Sequence, residues 1–219
     1  MRYAILGLLM QTGTPISFSD IYPATMETKL TPQLLLFAYS QGVFPMAQED
    51  GIYWYDPDPR TILPLDSFHV PRRLGRTVRS GRFEVRVNTA FRAVMAACAE
   101  PAPERESTWI SPEFIAVYTQ LHQLGFAHSV ESWRDGRMVG GLYGVAIRGL
   151  FAGESMFSHD TDASKVALVH LVERLRRGSF VLLDTQFTTS HLARFGAVEI
   201  PRQEYKKRLA HALKVNAAF

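Results

Sequence analysis

Cysteine is almost absent from this 219-residue sequence, which contains only Cys98. One cysteine cannot form an internal disulfide, and its rarity fits a reducing compartment, so we expect a cytoplasmic protein. Without a second cysteine, and with scattered histidines, we expect no zinc site. The apolar run near the start, residues 4–10, is far shorter than the ~20 residues of a membrane-spanning helix. We therefore interpret it as a structural segment and expect no membrane partner.

The net charge is also small, at +3, although the isoelectric point is about 9.1. Positive charge is nevertheless concentrated in residues 71–86, which we call the arginine-rich run. Its arginines are Arg72, Arg73, Arg76, Arg79, Arg82 and Arg86, against the single acid Glu84. Such a run is most often a solvated face, but it also has the composition of a phosphate-binding surface. Charge alone leaves both interpretations open.

Helix and turn signals predict a small N-terminal lobe, residues 1–61, followed by a larger domain, residues 62–219. A short helix begins after Thr31 as N-cap and Pro32 at the first helical position. The segment that follows is dense in Pro, Asp and aromatic residues, and its "DPDPR" sequence cannot continue a helix or a central strand. We interpret "DPDPR" as a rigid surface loop that marks the boundary.

Strands and helices alternate along the larger domain. The predicted elements are a strand at 82–87, a helix at 88–100 capped by Asn88 or Thr89, a helix at 111–125 capped by Ser111, a hairpin at 127–145 turning at Asp135-Gly136, a strand at 149–158, a helix at 162–178, a strand at 179–187, and closing helices at 189–196 and 201–214. Two strands joined by one helix are most simply parallel. The pattern predicts a mixed α/β (α+β) domain with the outline of an N-acetyltransferase.

An acid interrupts the apolar strand "GLFAGESMFS", because Glu154 stands between Ala152 and Met156. Strand alternation predicts that these three side chains share one face. In the next strand, Asp184 and Gln186 share a face near the C-terminal end, where open α/β sheets bind ligands. A lone polar residue there would most simply cap a turn. Three polar residues on adjacent strands instead predict a ligand site. Its acids would act either as a general base or as the binding site of a cation.

Coenzyme A is disfavoured as a cofactor by the segment between that strand and its helix. Acetyl-CoA enzymes of this fold hold the pyrophosphate with a glycine-rich turn at a helix N-terminus. Here the corresponding segment is "SHDTDASK", which has no glycine and two aspartates. We therefore expect no CoA.

Ten short motifs, taken together, resemble those of one family. In chain order they are "GVFPM", "WYDPDPR", "TWISPEF", "HSVESW", "GGLYGV", "LFAGESMFS", "DASKVAL", "LLDTQF", "HLARFGA" and "EIPRQEY", over residues 42–205. The sequence is similar to bacterial leucyl/phenylalanyl-tRNA–protein transferases. The resemblance implies transfer of Leu, Phe or Met from tRNA to proteins whose N-terminal residue is Arg or Lys, which marks them for N-end-rule degradation. It also implies an acetyltransferase-like domain with no cofactor or metal, and we expect a monomer.

Residue by residue, the resemblance implies a catalytic pair, Asp184 and Gln186, which with Glu154 binds the acceptor peptide. It implies that Trp109 and Phe151 wall the pocket for the donor side chain. The arginine-rich run, through Arg72, Arg73, Arg76, Arg79 and Arg82, corresponds to the region that meets the tRNA.

Two positions depart from the family pattern within the expected donor pocket. Met46 stands where the family commonly has an aromatic residue, and Leu171 replaces an aromatic residue on the long helix. The ranking of Leu, Phe and Met as donors is therefore less determined than the reaction. Another acyl or aminoacyl transferase of the same fold is the nearest alternative. A non-catalytic RNA-binding module would explain the arginines but not Glu154, Asp184 and Gln186.

Overall fold

The computed structural model describes residues 29–48, 50–101 and 108–219, and the expected structural segment at residues 4–10 lies outside these ranges. The helices are α1 (Pro32–Ser40), α2 (Arg72–Arg79), α3 (Phe91–Ala99), α4 (Pro112–Gln123), α5 (Ala163–Arg177), α6 (Ser190–Ala193) and α7 (Arg202–Ala212). The strands are β1 (Phe44–Gln48), β2 (Gly51–Tyr55), β3 (Arg60–Ile62), β4 (Glu84–Val87), β5 (Ala127–Arg134), β6 (Arg137–Ile147), β7 (Leu150–Ser158), β8 (Leu182–Gln186) and β9 (Val198–Ile200).

The larger sheet has the strand order β4-β5-β6-β7-β8-β3-β9, and β1 pairs separately with β2. Strands β7 and β8 are parallel and are joined by α5, whereas the other pairs are antiparallel. This confirms the predicted mixed sheet and its β–α–β unit. Pairing between β7 and β8 ends at Ala152 and Asp184. The two strands therefore separate beyond that point.

Helices cover both faces of the sheet. Helices α1, α3 and α4, together with the β1–β2 hairpin, pack on one face. Helices α2 and α5 pack on the other face, and α7 covers the region around β3 and β8. Across the described ranges, no helix combines the length and the apolar character needed to span a membrane.

Several local capping and turn signals are confirmed by the structure. The Thr31 hydroxyl accepts a hydrogen bond from the Leu34 amide (3.2 Å), and the Ser111 hydroxyl accepts one from Phe114 (3.3 Å). The β5–β6 hairpin turns at residues 135–136, which both adopt positive φ angles. These features depend on neighbours in sequence, so the pattern alone predicts them.

The predicted cap of α3 was wrong. Ala90 occupies the N-cap position, and Asn88 has a φ of 61°. The carboxylate of Glu131, fully buried on β5, instead accepts hydrogen bonds from the Thr89 hydroxyl (2.5 Å) and the Ala90 amide (3.3 Å). Polar groups at the start of α3 are therefore hydrogen-bonded by an acid that is distant in sequence, and not by a local side chain as predicted.

The predicted loop "DPDPR" is confirmed for residues 56–59, which lie outside the helices and strands, but not for Arg60, which begins β3. Before this loop, strands β1 and β2 form a hairpin, and β3 belongs to the larger sheet, where it lies between β8 and β9. Because β3 spans residue 61, part of the expected N-terminal lobe contributes to the main sheet. The division at residue 61 stays a prediction.

A β-bulge in β7 overturns the predicted alternation of its side chains. Tyr143 of β6 lies opposite Ser155, whereas the next residue, Gly144, lies opposite Gly153. Glu154 is therefore the extra residue of β7, and the side chains beyond it change faces.

The packing on either side of the bulge shows the change of face. Ala152 and Phe157 belong to the same cluster as α3 and α4, although their spacing predicts opposite faces. Phe151 and Met156 both pack with α5. Met156 therefore does not share the face of Ala152, as simple alternation predicted.

Candidate functional site

The candidate site is organised by a buried ion pair between Arg60 of β3 and Asp184 of β8. The Arg60 Nε donates to Asp184 Oδ1 (2.9 Å), and Nη2 donates to Oδ2 (2.6 Å). Each side chain is only 1% exposed. The two parallel hydrogen bonds fix the relative orientation of the two strands, because bidentate arginine–carboxylate pairs have a narrow geometry.

Aromatic rings enclose the Arg60 guanidinium on two sides. Its central carbon lies 4.8 Å from the ring centroid of Phe44 and 4.4 Å from that of Tyr205. A further hydrogen bond runs from Nη1 to the Gly42 carbonyl (3.0 Å). Burial lowers the pKa of Arg60, but Asp184 and Tyr205 outweigh this effect, so the pKa is raised and the group stays charged. Arg60 thereby ties β1 and α7 to the end of β8.

Asp184 has no spare hydrogen-bonding capacity. Besides the two bonds from Arg60, it accepts one from the Tyr205 hydroxyl (2.8 Å) and one from the Gln186 amide (2.9 Å). An ionised carboxylate offers about four lone-pair sites, so these bonds account for them. Gln186 itself has a φ of 60°, an uncommon conformation for a residue other than glycine. Asp184 therefore holds the backbone of Gln186 in a strained turn.

Glu154, the extra residue of the bulge, is 5% exposed and points to a cluster of polar groups. The Gln186 Nε2 lies 3.4 Å from Glu154 Oε1 and donates to it, and the Tyr39 hydroxyl also hydrogen-bonds to the carboxyl. Tyr118 lies 2.5 Å, oxygen to oxygen, from Tyr39. The apolar strand accommodates an acid because Glu154 has polar partners from α1 and β8.

Burial raises the pKa of Glu154 to about 8. The Tyr39 hydrogen bond opposes this shift, the charge of Asp184 adds to it, and the charge of Arg60 opposes it. At neutral pH the carboxyl is therefore largely protonated, and a cation placed beside it would favour ionisation.

A cavity of about 60 Å³ lies between β7 and β8, where the two strands have separated. Its walls are mainly apolar. They are formed by Trp109, Leu142, Tyr143, Gly153, Glu154, Ser155, Met156, Leu168, Leu171, Leu183, Thr185, Thr189, His191 and Leu192. We call it the apolar cavity. Glu154 lines it, so an apolar cavity and a buried acid are adjacent.

The structure brings only two of the four expected pocket residues to this cavity. Trp109 and Leu171 line it. Phe151 lies elsewhere, stacked on Phe219 at 5.4 Å between ring centroids. Met46 is buried in the cluster beneath the β1–β2 hairpin, pairs with Tyr53 across that hairpin, and is not among the lining residues. Phe151 and Met46 therefore do not line this cavity, and their assignment to the donor pocket stays a prediction.

The arginine-rich run forms α2, the turn after it and the start of β4. The sequence pattern did not predict this helix. Five of its arginines are exposed, namely Arg72, Arg73, Arg76, Arg79 and Arg82. Arg86 differs, because it pairs with Glu84 (2.8 Å) and lies 4.3 Å from the ring centroid of Trp133. The exposed positive surface therefore excludes Arg86.

Four residues of the site were not predicted from the sequence: Arg60, Tyr205, Tyr39 and Tyr118. Arg60 and Tyr205 lie within the motifs "WYDPDPR" and "EIPRQEY", which carry the resemblance, but no local pattern marks them as partners of Asp184. Tyr39 and Tyr118 are on helices α1 and α4, where their positions look like ordinary core positions. These four residues can be identified only from contacts between segments that are distant in sequence.

Comparison with known proteins agrees with the sequence resemblance. Residues 62–210 match the family "Leucyl/phenylalanyl-tRNA protein transferase", and residues 28–58 match its N-terminal domain. A protein named leucyl/phenylalanyl-tRNA–protein transferase from Herpetosiphon aurantiacus is 63% identical over 195 residues, which cover 89% of this chain and all of that protein. One of the same name from Paramagnetospirillum magneticum is 58% identical, covering 87% and 92% of the two chains.

The chain also has distant likenesses among solved structures. A GCN5-related N-acetyltransferase from Kribbella flavida matches with a TM-score of 0.40 and 12% identity, covering 77% of this chain and 60% of that one. The fold is defined by the strand order of the larger sheet and its single parallel pair among the described strands.

The mixed sheet, the parallel pair that separates around a cavity, and the sequence matches together define an aminoacyltransferase. The chain belongs to the leucyl/phenylalanyl-tRNA–protein transferase family. The activity of this family is aminoacyl transfer to protein N-termini. The resemblance stated from the sequence motifs is thereby confirmed.

Proposed function

We propose that this chain transfers Leu, Phe or Met from aminoacyl-tRNA to the α-amino group of proteins that begin with Arg or Lys, marking them for N-end-rule degradation. One observation carries the proposal: a buried acid, Glu154, lines an apolar cavity and hydrogen-bonds to Gln186. An apolar cavity suits the donor side chain, and an acid suits a basic acceptor. A mainly apolar cavity with a few polar groups in its wall is the usual form of a ligand site.

The donor side chain enters the apolar cavity in this proposal. Trp109 and Leu171 supply rigid and branched apolar walls, and Met156 supplies an adaptable one. At about 60 Å³ the cavity is smaller than a ~150 Å³ cavity that accepts benzene. Leucine therefore requires less movement of the walls than phenylalanine, and Met156 is the side chain best suited to move.

The acceptor binds at Glu154, whose ionisation is favoured by the positive charge of an N-terminal Arg or Lys residue. The donor ester is already activated, so the protein's task is to place a neutral amine beside it. With an α-amino pKa of about 7.7–8.0, loss of the amine proton near pH 7 costs only about 1 kcal/mol. Positioning contributes far more, at ~7–11 kcal/mol.

In the reaction, the amine nitrogen attacks the ester carbonyl carbon, the peptide bond forms, and the bond to the ribose oxygen breaks. The proton lost by the amine goes to the departing oxygen. We assign Gln186 to hydrogen-bond the attacking amine. We assign Asp184 to a positioning role, because its lone pairs are taken by Arg60, Tyr205 and the Gln186 amide.

The tRNA backbone is bound by the exposed arginines of α2 and the following turn, Arg72, Arg73, Arg76, Arg79 and Arg82. Their surface carries positive charge that is not neutralised by nearby acids in the described ranges, apart from a 3.9 Å approach of Arg73 to Asp162. Phosphate contacts of this kind supply affinity without sequence information. We also propose that the enzyme acts as a monomer in the cytoplasm, where Cys98 stays a buried thiol.

The test uses the purified chain with tRNAs charged with Leu, Phe, Met or Ala, and with peptides beginning Arg, Lys or Ala. We expect transfer of Leu, Phe and Met to the Arg and Lys peptides, and little transfer of Ala or to the Ala peptide. Acetyl-CoA in place of charged tRNA serves as the control donor. Transfer from acetyl-CoA, or equal use of the three peptides, would reject the proposal.

A matched variant separates acceptor binding from the rest of the reaction. Glu154→Gln keeps the size of the side chain but cannot ionise. We expect it to raise KM for the Arg peptide and to reduce the preference for Arg over Ala, with tRNA affinity unchanged. An equal loss of activity with both peptides would show that Glu154 does not recognise the acceptor.

A further inference from the structure

A second cavity, of about 210 Å³, adjoins the apolar cavity at His191, which lines both. Three cationic side chains from three separate elements line it: Arg73 from α2, Lys165 from α5 and Arg194 from the turn after α6. We call it the cationic cavity. Because Arg73 is distant in sequence from Lys165 and Arg194, only the fold brings the three together.

The positive charge of this cavity is only partly neutralised. Asp162 is the one carboxylate among its lining residues, and three cations against one anion leave a local charge of +2. Lys165 Nζ lies 2.7 Å from Asp162, and Arg73 lies 3.9 Å from it. Within residues 29–48, 50–101 and 108–219, Arg194 has no ion-pair partner within 4 Å.

His191 lies in the wall between the two cavities and stays uncharged. Burial lowers its pKa to about 4, and the charges of Lys165 and Arg194 contribute to this shift. The imidazole is 1% exposed. It therefore separates the apolar cavity from the cationic one without adding a fourth positive charge.

The arrangement matches a phosphate group better than a structural ion cluster. A purely structural cluster would pair its cations with carboxylates, since converging like charges repel one another. Arginine and lysine in combination are the usual ligands of phosphate, with arginine giving two directed hydrogen bonds and lysine a mobile point charge. Arg73 also belongs to the exposed arginine-rich run, so the cavity continues that positive surface.

We propose that the cationic cavity binds a backbone phosphate of the donor tRNA, with Lys165 and Arg194 as its ligands on the catalytic domain. The inference rests on the proposed use of tRNA as donor. It extends the tRNA-binding surface from α2 to α5 and the turn after α6, beside the apolar cavity. The tRNA is thereby held by the same part of the fold that forms the cavity for the donor side chain.

The test measures the affinity for tRNA as a function of salt in Lys165→Gln, Arg194→Gln and the double variant. Each neutralised phosphate contributes about 0.7–0.9 to the slope of log affinity against log salt. We expect each single variant to reduce the slope by up to this amount. Because both residues bind one phosphate, the slope of the double variant should fall by the amount for one phosphate rather than two.

Controls distinguish this reduction from a general change of charge or fold. Lys207→Gln removes an exposed lysine of α7 that lies outside the cavity, and we expect it to leave the slope unchanged. Arg194→Lys keeps the charge and should retain the slope. Thermal unfolding of every variant establishes that the fold is intact.

An unchanged slope in the double variant, with wild-type tRNA binding intact, would overturn the phosphate site. A reduction by the amount for two phosphates would also overturn it, because the two residues would then bind separate phosphates. Failure of the proposed function gives a different result, in which the wild-type chain transfers nothing from charged tRNA. Inorganic phosphate added at constant ionic strength should compete with tRNA less strongly in the double variant than in the wild type, and equal competition in both would count against the site.

Discussion

Arg60 and Asp184 are 124 residues apart in sequence and form a bidentate ion pair in the protein interior. The pair joins β3 to β8 immediately before Gln186, whose amide is held by the same carboxylate. Burying two charges is costly, and the cost is recovered only when every hydrogen-bonding group is satisfied, as it is for Asp184. The stability of the site and the position of Gln186 therefore depend on the same contacts.

Asp184→Ala should lower the free energy of unfolding by about 3–5 kcal/mol, because it leaves the Arg60 charge buried and unpaired. Denaturant unfolding measures this change. Glu173→Ala on α5, where the carboxylate is 43% exposed, is the control and should cost less than about 1 kcal/mol. A destabilisation by Asp184→Ala as small as that of the control would contradict the account.

The pKa of Glu154 predicts a dependence of stability on pH. Its rise from 4.5 to about 8 means that, between these values, the folded protein binds one more proton than the unfolded chain. The contribution of Glu154 is fully present below about pH 4.5 and is lost as pH rises to 8, by up to ~1.4 kcal/mol per pH unit. Glu154→Gln should remove this dependence.

The measurement is the difference in unfolding free energy between wild type and Glu154→Gln from about pH 4 to about pH 9, a range that spans the two pKa values. As pH rises to about 8, the stability of the wild type should fall steadily relative to that of the variant, and the difference should then level off. Glu199→Gln, at an exposed position of β9, should give no such trend. A difference that is constant with pH would mean that Glu154 is ionised throughout.

The sequence predicts those parts of the fold that depend on neighbouring residues. Thr31 and Ser111 cap helices as expected, and residues 135–136 form the hairpin turn. The β–α–β unit follows from strand and helix lengths, so the mixed sheet was also predictable. Side-chain alternation failed at Glu154 because one extra residue in β7 reverses every position beyond it.

Features that depend on distant contacts were not predictable. The cap of α3 comes from Glu131, which no local pattern connects to that helix. Arg60 follows a segment rich in proline, which hid the short strand β3. Glu154, Asp184 and Gln186 were identified because polar residues interrupt apolar strands, but their partners are visible only in the fold.

The apolar cavity predicts how donor preference responds to its walls. Leu171→Ala should enlarge the cavity and raise transfer of Phe relative to Leu by about tenfold. Leu175→Ala is the matched control, because Leu175 is buried on the same helix but does not line the cavity. Both changes should cost about 2–5 kcal/mol of stability. Competition between Phe-tRNA and Leu-tRNA for one Arg peptide gives the ratio, and equal shifts in both variants would reject this role.

The arginines of α2 predict the salt dependence of tRNA binding. Replacing Arg76 and Arg79 with Ala should weaken binding of any tRNA sequence and reduce the salt slope by up to ~0.9 for each phosphate that is no longer neutralised. Lys207→Ala on α7 should have no comparable effect. A wild-type slope in the α2 variant would mean that these arginines contact solvent and not tRNA phosphates.

The most direct test of the account is the single-turnover rate of Gln186→Ala with saturating charged tRNA and Arg peptide. The account assigns Gln186 to hydrogen-bond the amine, so the rate should fall by a factor of about 10–100, as expected when the amine is no longer held in position. The dissociation constant for tRNA and the unfolding midpoint should stay near the wild-type values. A wild-type rate, or a fall in rate matched by an equal fall in tRNA affinity, would contradict the central claim.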